Sequence, residues 1–204
     1  MNPYFEITDQ KRIDALLDSV EYGTLALSYQ DKPYSVPLNF VRIDRSIFFH
    51  GALQNKKMKL LAQNPKVSFS VVRSYALIPS FFSSNDALAC PATQFFASVS
   101  IDGIAKVIED RDMKAKVLEA LMQKLQPQGG YKPLSDEAYT KALKATAVVE
   151  IQPSTTRCKF KLGQHLSKER FRMILKHLEE RNEPKDKETI DMMRGVRDIG
   201  NLGV

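Results

Sequence analysis

Two hydrophobic periods alternate along the first half of the chain. Behind Thr8, which can cap a first turn, Ile13, Leu16, Leu17 and Val20 recur at helical spacing. Period two then takes over. Residues 22–29, Tyr-Gly-Thr-Leu-Ala-Leu-Ser-Tyr, read as a strand. Beyond the turn marked by Asp31 and Pro33, Tyr34, Val36, Leu38 and Phe40 alternate with Ser35, Pro37, Asn39 and Val41, as in a half-buried second strand. The Asp44-Arg45-Ser46 turn leads into a short third strand, residues 47–50, which meets a corner at Gly51-Ala52. A helix starts near Asn55, turns Met58, Leu61 and Ala62 to the core and stops at Asn64-Pro65. Residues 66–73 alternate again. Residues 74–93 break the pattern, mixing Pro79, Ser80, Ser83, Ser84, Asn85, Asp86 and Pro91 with Tyr75, Phe81 and Phe82. A stretch of that length reads as a lid, a binding loop or disorder, and exposed Phe81-Phe82 favours a lid or a partner contact.

The longest strand pattern, residues 94–108, carries Gly103 inside it, which suggests a bulge or bend. An amphipathic helix opens at Asp110 or Asp112 and runs to Leu125, and a short helix falls at about residues 136–143. A strongly apolar strand (145–152) and a basic, half-buried one (157–162) follow. About six or seven short strands with helices at the margins define an α+β class, a small antiparallel barrel with peripheral helices. Composition shifts after residue 165. A charged amphipathic helix, residues 169–181, presents Phe171, Ile174, Leu175 and Leu178, and the chain beyond Pro184 is nearly all charge. The expected division is a barrel domain, 1–165, and a charged helical C-terminal extension, 166–204.

With 204 residues, 43% of them hydrophobic and 26% charged, the chain can build a real core. No apolar run approaches the ~18 residues of a membrane span, and the N-terminus lacks a signal core. A cytoplasmic protein with no membrane partner is expected. Cys90 and Cys158, with three histidines, show no ligand spacing, so neither a metal site nor a disulfide framework is expected. The net charge of +6 suits nucleic acid and small anions equally. No recognition-helix pattern is present, which argues against direct DNA reading.

Two features carry chemistry. Lys56, Lys57 and Lys59 crowd the start of a helix whose first N–H groups are unpaired and carry the positive end of the dipole. Three cations there are unfavourable until an anion such as phosphate arrives; a solvated basic turn is the alternative reading of the same run. Pro37, inside a strand, cannot donate to a ladder, so it marks an edge, a bulge or a place where something other than a strand lies alongside. Backbone groups left free there can hydrogen-bond a flat heterocycle.

Gly23-Thr-Leu-Ala, Pro33-Tyr-Ser-Val-Pro-Leu-Asn-Phe, and Phe49-His-Gly-Ala before a lysine-bearing helix resemble the FMN-binding split-barrel superfamily. Within it the chain looks most like the nitroimidazole-resistance (Nim-type) branch of pyridoxamine 5'-phosphate oxidase-like flavoproteins. Asn64-Pro-Lys-Val-Ser-Phe, Ala97-Ser-Val-Ser-Ile-Asp-Gly, Glu109-Asp and the helix ending in Ala120-Leu-Met agree in order, so the likeness spans roughly residues 8–161. It implies an antiparallel six-to-seven-stranded split β-barrel forming a homodimer, with FMN at the subunit interface. By position, the backbone of Ser35, Val36, Pro37, Leu38 and Asn39 lines the isoalloxazine edge, and His50 and Ala52 lie beside the cofactor. Lys57, with Lys56 next to it, reaches the phosphate, and Ser98 supplies a hydroxyl on the neighbouring strand. Asn55 stands where relatives often carry glycine, a position asparagine tolerates in the left-handed conformation. The resemblance makes His50 a candidate for chemistry in nitro reduction. A structural role holding the corner by a ring N–H fits one sequence equally.

There are departures. Cys90-Pro-Ala-Thr-Gln-Phe-Phe stands where Nim-type relatives carry aromatic and arginine residues. The stretch Lys159-Phe-Lys-Leu-Gly-Gln-His-Leu-Ser is similar to the C-terminal signature of FMN-binding negative transcriptional regulators, which implies that Lys159 and Lys161 reach the partner's cofactor phosphate. The resemblance thus implies an oxidoreductase passing electrons, with NAD(P)H as a donor, to a small nitroaromatic- or quinone-like acceptor. Its alternative is an FMN-binding regulator or sensor without turnover. A strict pyridoxamine-phosphate oxidase is disfavoured, because no arginine–histidine cluster lies near the C-terminus.

Overall fold

The computed structural model describes residues 2–200. Helix α1 (Gln10–Ser19) is capped by Asp9 rather than Thr8, the Asp9 carboxylate accepting from the Lys11 N–H at 2.9 Å. Strands β1 (Tyr22–Tyr29), β2 (Lys32–Ile43) and β3 (Ser46–Ala52) follow, then α2 (Lys56–Gln63) and β4 (Lys66–Ile78). The second half holds β5 (Thr93–Ile108), α3 (Arg111–Leu125), α4 (Thr140–Ala145), β6 (Thr146–Lys161), α5 (Lys168–Arg181) and α6 (Asp186–Gly200). The strands close a barrel in the order β1-β2-β3-β6-β5-β4. Among the described residues no helix is long and apolar enough to cross a membrane.

Two further expectations are corrected. The two strands expected between residues 145 and 162 are one. The polar Ser154 and Arg157 are held alongside Asp102, by Ser154 Oγ to the Asp102 carbonyl (2.9 Å) and by Arg157 to its carboxylate (2.8 Å). Strand β4 runs on to Ile78, so the irregular segment starts at Pro79, and Phe82 in it is buried. Strand β5 runs on through Gly103, where a Cβ would lie 2.4 Å from the Gln152 carbonyl oxygen, so the glycine admits a close backbone approach.

The chain divides into two compact units. Residues 9–71 and 99–157 form the first. Leu25, Phe40, Phe49, Phe69, Ile101 and Ile151 fill its interior, with Phe40 and Phe69 meeting edge to face at 5.0 Å. Helix α3 closes a second cluster, Val117 and Leu121 against Val41, Phe48 and Val148. Lys124, near the end of α3, lays its ammonium 3.9 Å from the Phe40 ring centre and donates to the Leu17 carbonyl at 3.1 Å.

Residues 2–8, 72–98 and 158–200 make up the described part of the second unit. The charge-dense stretch after Pro184 is helix α6. It is fixed to α5 by Asp186, which is 1% exposed, takes two hydrogen bonds from Arg181 (2.5 and 2.9 Å) and caps the Glu183 N–H. Side chains from the two helices then satisfy the β4 backbone: Thr189 Oγ1 accepts from the Ala76 N–H and Arg181 donates to the Leu77 carbonyl. Arg73 and Glu188 pair beside them. Of the expected extension, residues 201–204 lie outside the described residues.

Candidate functional site

Strands β2 and β3 are neighbours only briefly. They pair from Phe40↔Phe49 to Ile43↔Ser46 and then part. Residues 32–39 of β2 continue against β1, while residues 50–52 of β3 continue against β6. Along residues 32–39 the side of β2 away from β1 therefore carries no strand among the described residues. Pro33 and Pro37 sit in this segment, opposite Ser28 and Thr24 of β1. Proline has no N–H to give, so the β1 ladder stays whole when Pro33, Ser35, Pro37 and Asn39 turn their main-chain groups to the split and Tyr34, Val36 and Leu38 bond β1. Ser35, Pro37 and Asn39 are exposed; Val36 and Leu38 are half-buried.

The α2 N-terminus belongs to the same unit. Asn55 is its cap, with its side-chain oxygen accepting from the Met58 N–H at 3.0 Å. Its backbone is extended (φ −85°, ψ 167°), not left-handed as the glycine of relatives suggested; a capping side chain, which glycine lacks, accounts for the difference. No acid stands in the first turn. Lys57 folds back over Gly51 so closely that a Cβ on Gly51 would lie 2.6 Å from Lys57 Nζ and 3.0 Å from Asn55 Nδ2. Lys56 goes elsewhere: its ammonium stands 4.4 Å from the centre of the Tyr34 ring of β2.

Burial lowers the Lys57 pKa, since desolvation penalises the charged form. His50, exposed at one edge but partly desolvated, is also lowered, first by burial and then by the Lys57 ammonium, so the imidazole is neutral at pH 7. Two basic groups held below their usual pKa beside an acid-free helix start make a site that gains by receiving an anion. Ala52, exposed at the end of β3, pairs with Thr146.

Ser98, Lys159 and Lys161 belong to the other unit. Ser98 is half-buried on β5. The Lys159 ammonium stands 5.5 and 5.4 Å from the rings of Phe5 and Phe96, and Lys161 hydrogen-bonds Thr93 Oγ1. Both basic side chains thus have partners within their own unit. His165 meets Phe5 edge to face at 5.1 Å.

Two residues of the site escape sequence reasoning. Gly51 registered only as a corner, though its lack of a side chain is what admits Lys57. Tyr34 registered only as an apolar strand position; an aromatic face opposite a lysine helix was the available signal. Among the described residues no group of three or more His, Cys, Asp or Glu could hold a metal.

An unpaired, proline-bearing strand edge beside an acid-free, lysine-bearing helix start fits a planar group that carries a phosphate. The chain belongs to the pyridoxamine 5'-phosphate oxidase family, whose pattern matches residues 9–159. Solved structures with the same fold include a candidate 5-nitroimidazole antibiotic resistance protein from Bacteroides thetaiotaomicron (18% identity, 76% of this chain and 85% of that one, TM-score 0.61). The flavocytochrome Anf3 of Azotobacter vinelandii (23%, 78% and 70%, TM-score 0.65) is similar. So is an FAD- and heme-binding protein of Mycobacterium smegmatis (23%, 76% and 73%, TM-score 0.62). The comparison with curated proteins gave no match.

Proposed function

We propose that the chain is a cytoplasmic flavin-dependent oxidoreductase that binds FMN at the interface of a homodimer and reduces a small nitroaromatic- or quinone-like acceptor with electrons from NAD(P)H. The observation that carries this reading is the parting of β2 and β3, which leaves a free strand edge in the same unit as the anion-seeking α2 N-terminus. The flavin, when bound, supplies hydride or electron transfer.

The protein's share is binding and positioning. Lys57 and the first α2 N–H groups hold the phosphate. Main-chain groups of Ser35, Pro37 and Asn39 orient the ring edge, with Val36 and Leu38 packed behind them. Neutral His50 keeps a nitrogen available to accept a hydrogen bond and an N–H to donate one at the acceptor. Ala52 leaves space beside it. In this reading residues 1–165 carry the flavin and residues 166–204 are an appended helical pair. Ser98 supplies a hydroxyl on the neighbouring strand, and Lys159 and Lys161 reach the partner's cofactor only by leaving Phe5, Phe96 and Thr93.

The visible spectrum of untagged protein tests the reading. Flavin absorbance that is lost in Lys57→Ala and bleaches anaerobically with NADH or NADPH is expected, and chromatography of the heat-released flavin separates FMN from FAD. Colourless protein that takes up neither flavin would refute the site. Flavin held by Lys57 but inert to both nucleotides would refute NAD(P)H as donor and point to a sensor.

A further inference from the structure

Lysine is among the residues least often buried without a counter-charge. Among the described residues, Lys114 of α3 is one of four buried polar or charged ones, only 7% exposed. Its ammonium has three N–H donors, yet among the described residues its hydrogen-bond partner is the Thr146 carbonyl at 3.3 Å, and no carboxylate pairs with it. Beside it lies a cavity of about 210 Å³ lined by Glu109, Arg111, Lys114, Thr140, Leu143 and Lys144.

The lining holds three cations and one acid. Arg111 is tied to the Ser135 carbonyl (3.2 Å) and to exposed Asp112 (3.4 Å), a surface pair that neutralises little. Thr140 offers a hydroxyl, and Leu143 closes the cavity with an apolar wall. At ~30 Å³ per water in the liquid, the space holds about seven waters, enough for a compact oxyanion.

We infer that this cavity binds a small doubly charged oxyanion, with Lys114 as the buried anchor, Arg111 and Lys144 as the outer cations and the Thr140 hydroxyl as a further donor. The site is separate from the Lys57 site but adjoins it through one backbone group. Thr146, whose carbonyl receives Lys114, pairs with Ala52 at the end of β3. An anion drawing on Lys114 loads the α3–α4–β6 junction, not the helix start at Asn55.

Thermal unfolding and 15N-detected amide shifts test this, with inorganic phosphate and malonate as probes, chloride at matched ionic strength as the reference, and Lys57→Ala as the background that silences the other anion site. Either probe should raise Tm with the logarithm of its concentration once above Kd, by about 5–10 °C at a hundredfold excess over Kd. The amide shifts should centre on residues 109–114 and 140–146. A response to phosphate alone assigns a phosphate monoester, to malonate alone a dicarboxylate, and to both their shared charge. Lys114→Met should abolish the rise. Arg111→Ala combined with Lys144→Ala, both at exposed positions, should cut the affinity at least tenfold without disturbing the fold. A rise no larger than chloride gives, one that survives the double variant, or amide shifts elsewhere would overturn the assignment. Because Lys57 is absent from the background, failure here leaves the flavin reading intact, and failure of the flavin spectrum leaves this result readable.

Discussion

Gly51→Ala separates binding from stability at the candidate flavin site. The added Cβ would stand 2.6 Å from Lys57 Nζ, 2.8 Å from Lys57 Cε and 3.0 Å from Asn55 Nδ2. All three are side-chain atoms, two of them at the free end of a lysine, so the lysine swings away at small cost. The backbone at Gly51 does not need positive φ, and alanine lowers the entropy of the unfolded chain by ~0.4–1 kcal/mol. Stability should therefore change by less than about 1 kcal/mol. Binding should not escape. A charge-assisted hydrogen bond to phosphate contributes ~1.5–3 kcal/mol, and its loss weakens FMN by about tenfold to 150-fold. Flavin fluorescence quenching on wild type, Gly51→Ala, Lys57→Ala and the double variant closes a cycle. If the methyl acts by displacing Lys57, the double variant binds as Lys57→Ala does. Full additivity of the two losses would refute the reasoning, because the methyl would then be obstructing the ligand itself. So would a Gly51→Ala protein that binds FMN as the wild type does.

Gly103→Ala should behave in the opposite way, because its Cβ would meet the Gln152 backbone at 2.4 Å; a loss of ~1–3 kcal/mol is expected in urea unfolding, and a wild-type midpoint would contradict it. Lys124 has its pKa lowered from 10.5 to about 8, chiefly by burial over Phe40. Between those values the unfolded chain holds the extra proton, so wild type should gain stability on Lys124→Met as pH rises from 8 towards 10.5, and no such gain would count against the placement. Asp186→Ala removes two hydrogen bonds from the Arg181 guanidinium, which keeps the Leu77 carbonyl and Glu183, and uncaps the Glu183 N–H; it should cost ~1.5–3 kcal/mol and raise the amide exchange of α6 selectively. The hydrogen bond from Arg181 holds the Asp186 pKa below 3.8, so this contribution is present above about pH 4 and fades as pH falls through the lowered value, which acid titration of wild type against the variant would reveal.

Much of the barrel was legible because its evidence is local. The alternation in residues 22–29 and 34–41 sets β1 and β2, and Met58 and Leu61 set the inner face of α2. Pro37 signalled an edge, a bulge or a non-strand neighbour, though not that β3 is the strand that departs. What escaped depends on partners far along the chain. The polar run in β6 looked like a break because Asp102, which holds it, is more than fifty residues away. Lys114 occupies an ordinary polar helix position, yet it is buried beside Leu143 and Lys144, which lie about thirty residues on. The stretch after Pro184 gave only its charge; its order rests on Asp186 and Thr189, whose partners Arg181 and Ala76 no periodicity announces.

The prolines of β2 bear on how the molecule keeps to itself. A bare strand edge invites the edge of another copy, and chains with long open edges assemble into ribbons. Here an approaching strand would find carbonyls at Pro33 and Pro37 but no matching N–H, so every second rung on that side would be missing. A continuous ladder cannot form, whereas a small planar molecule needing only two or three contacts can still use Ser35, Asn39 and the carbonyls between them. The same two residues thus keep the groove open to a ligand and closed to a fibril.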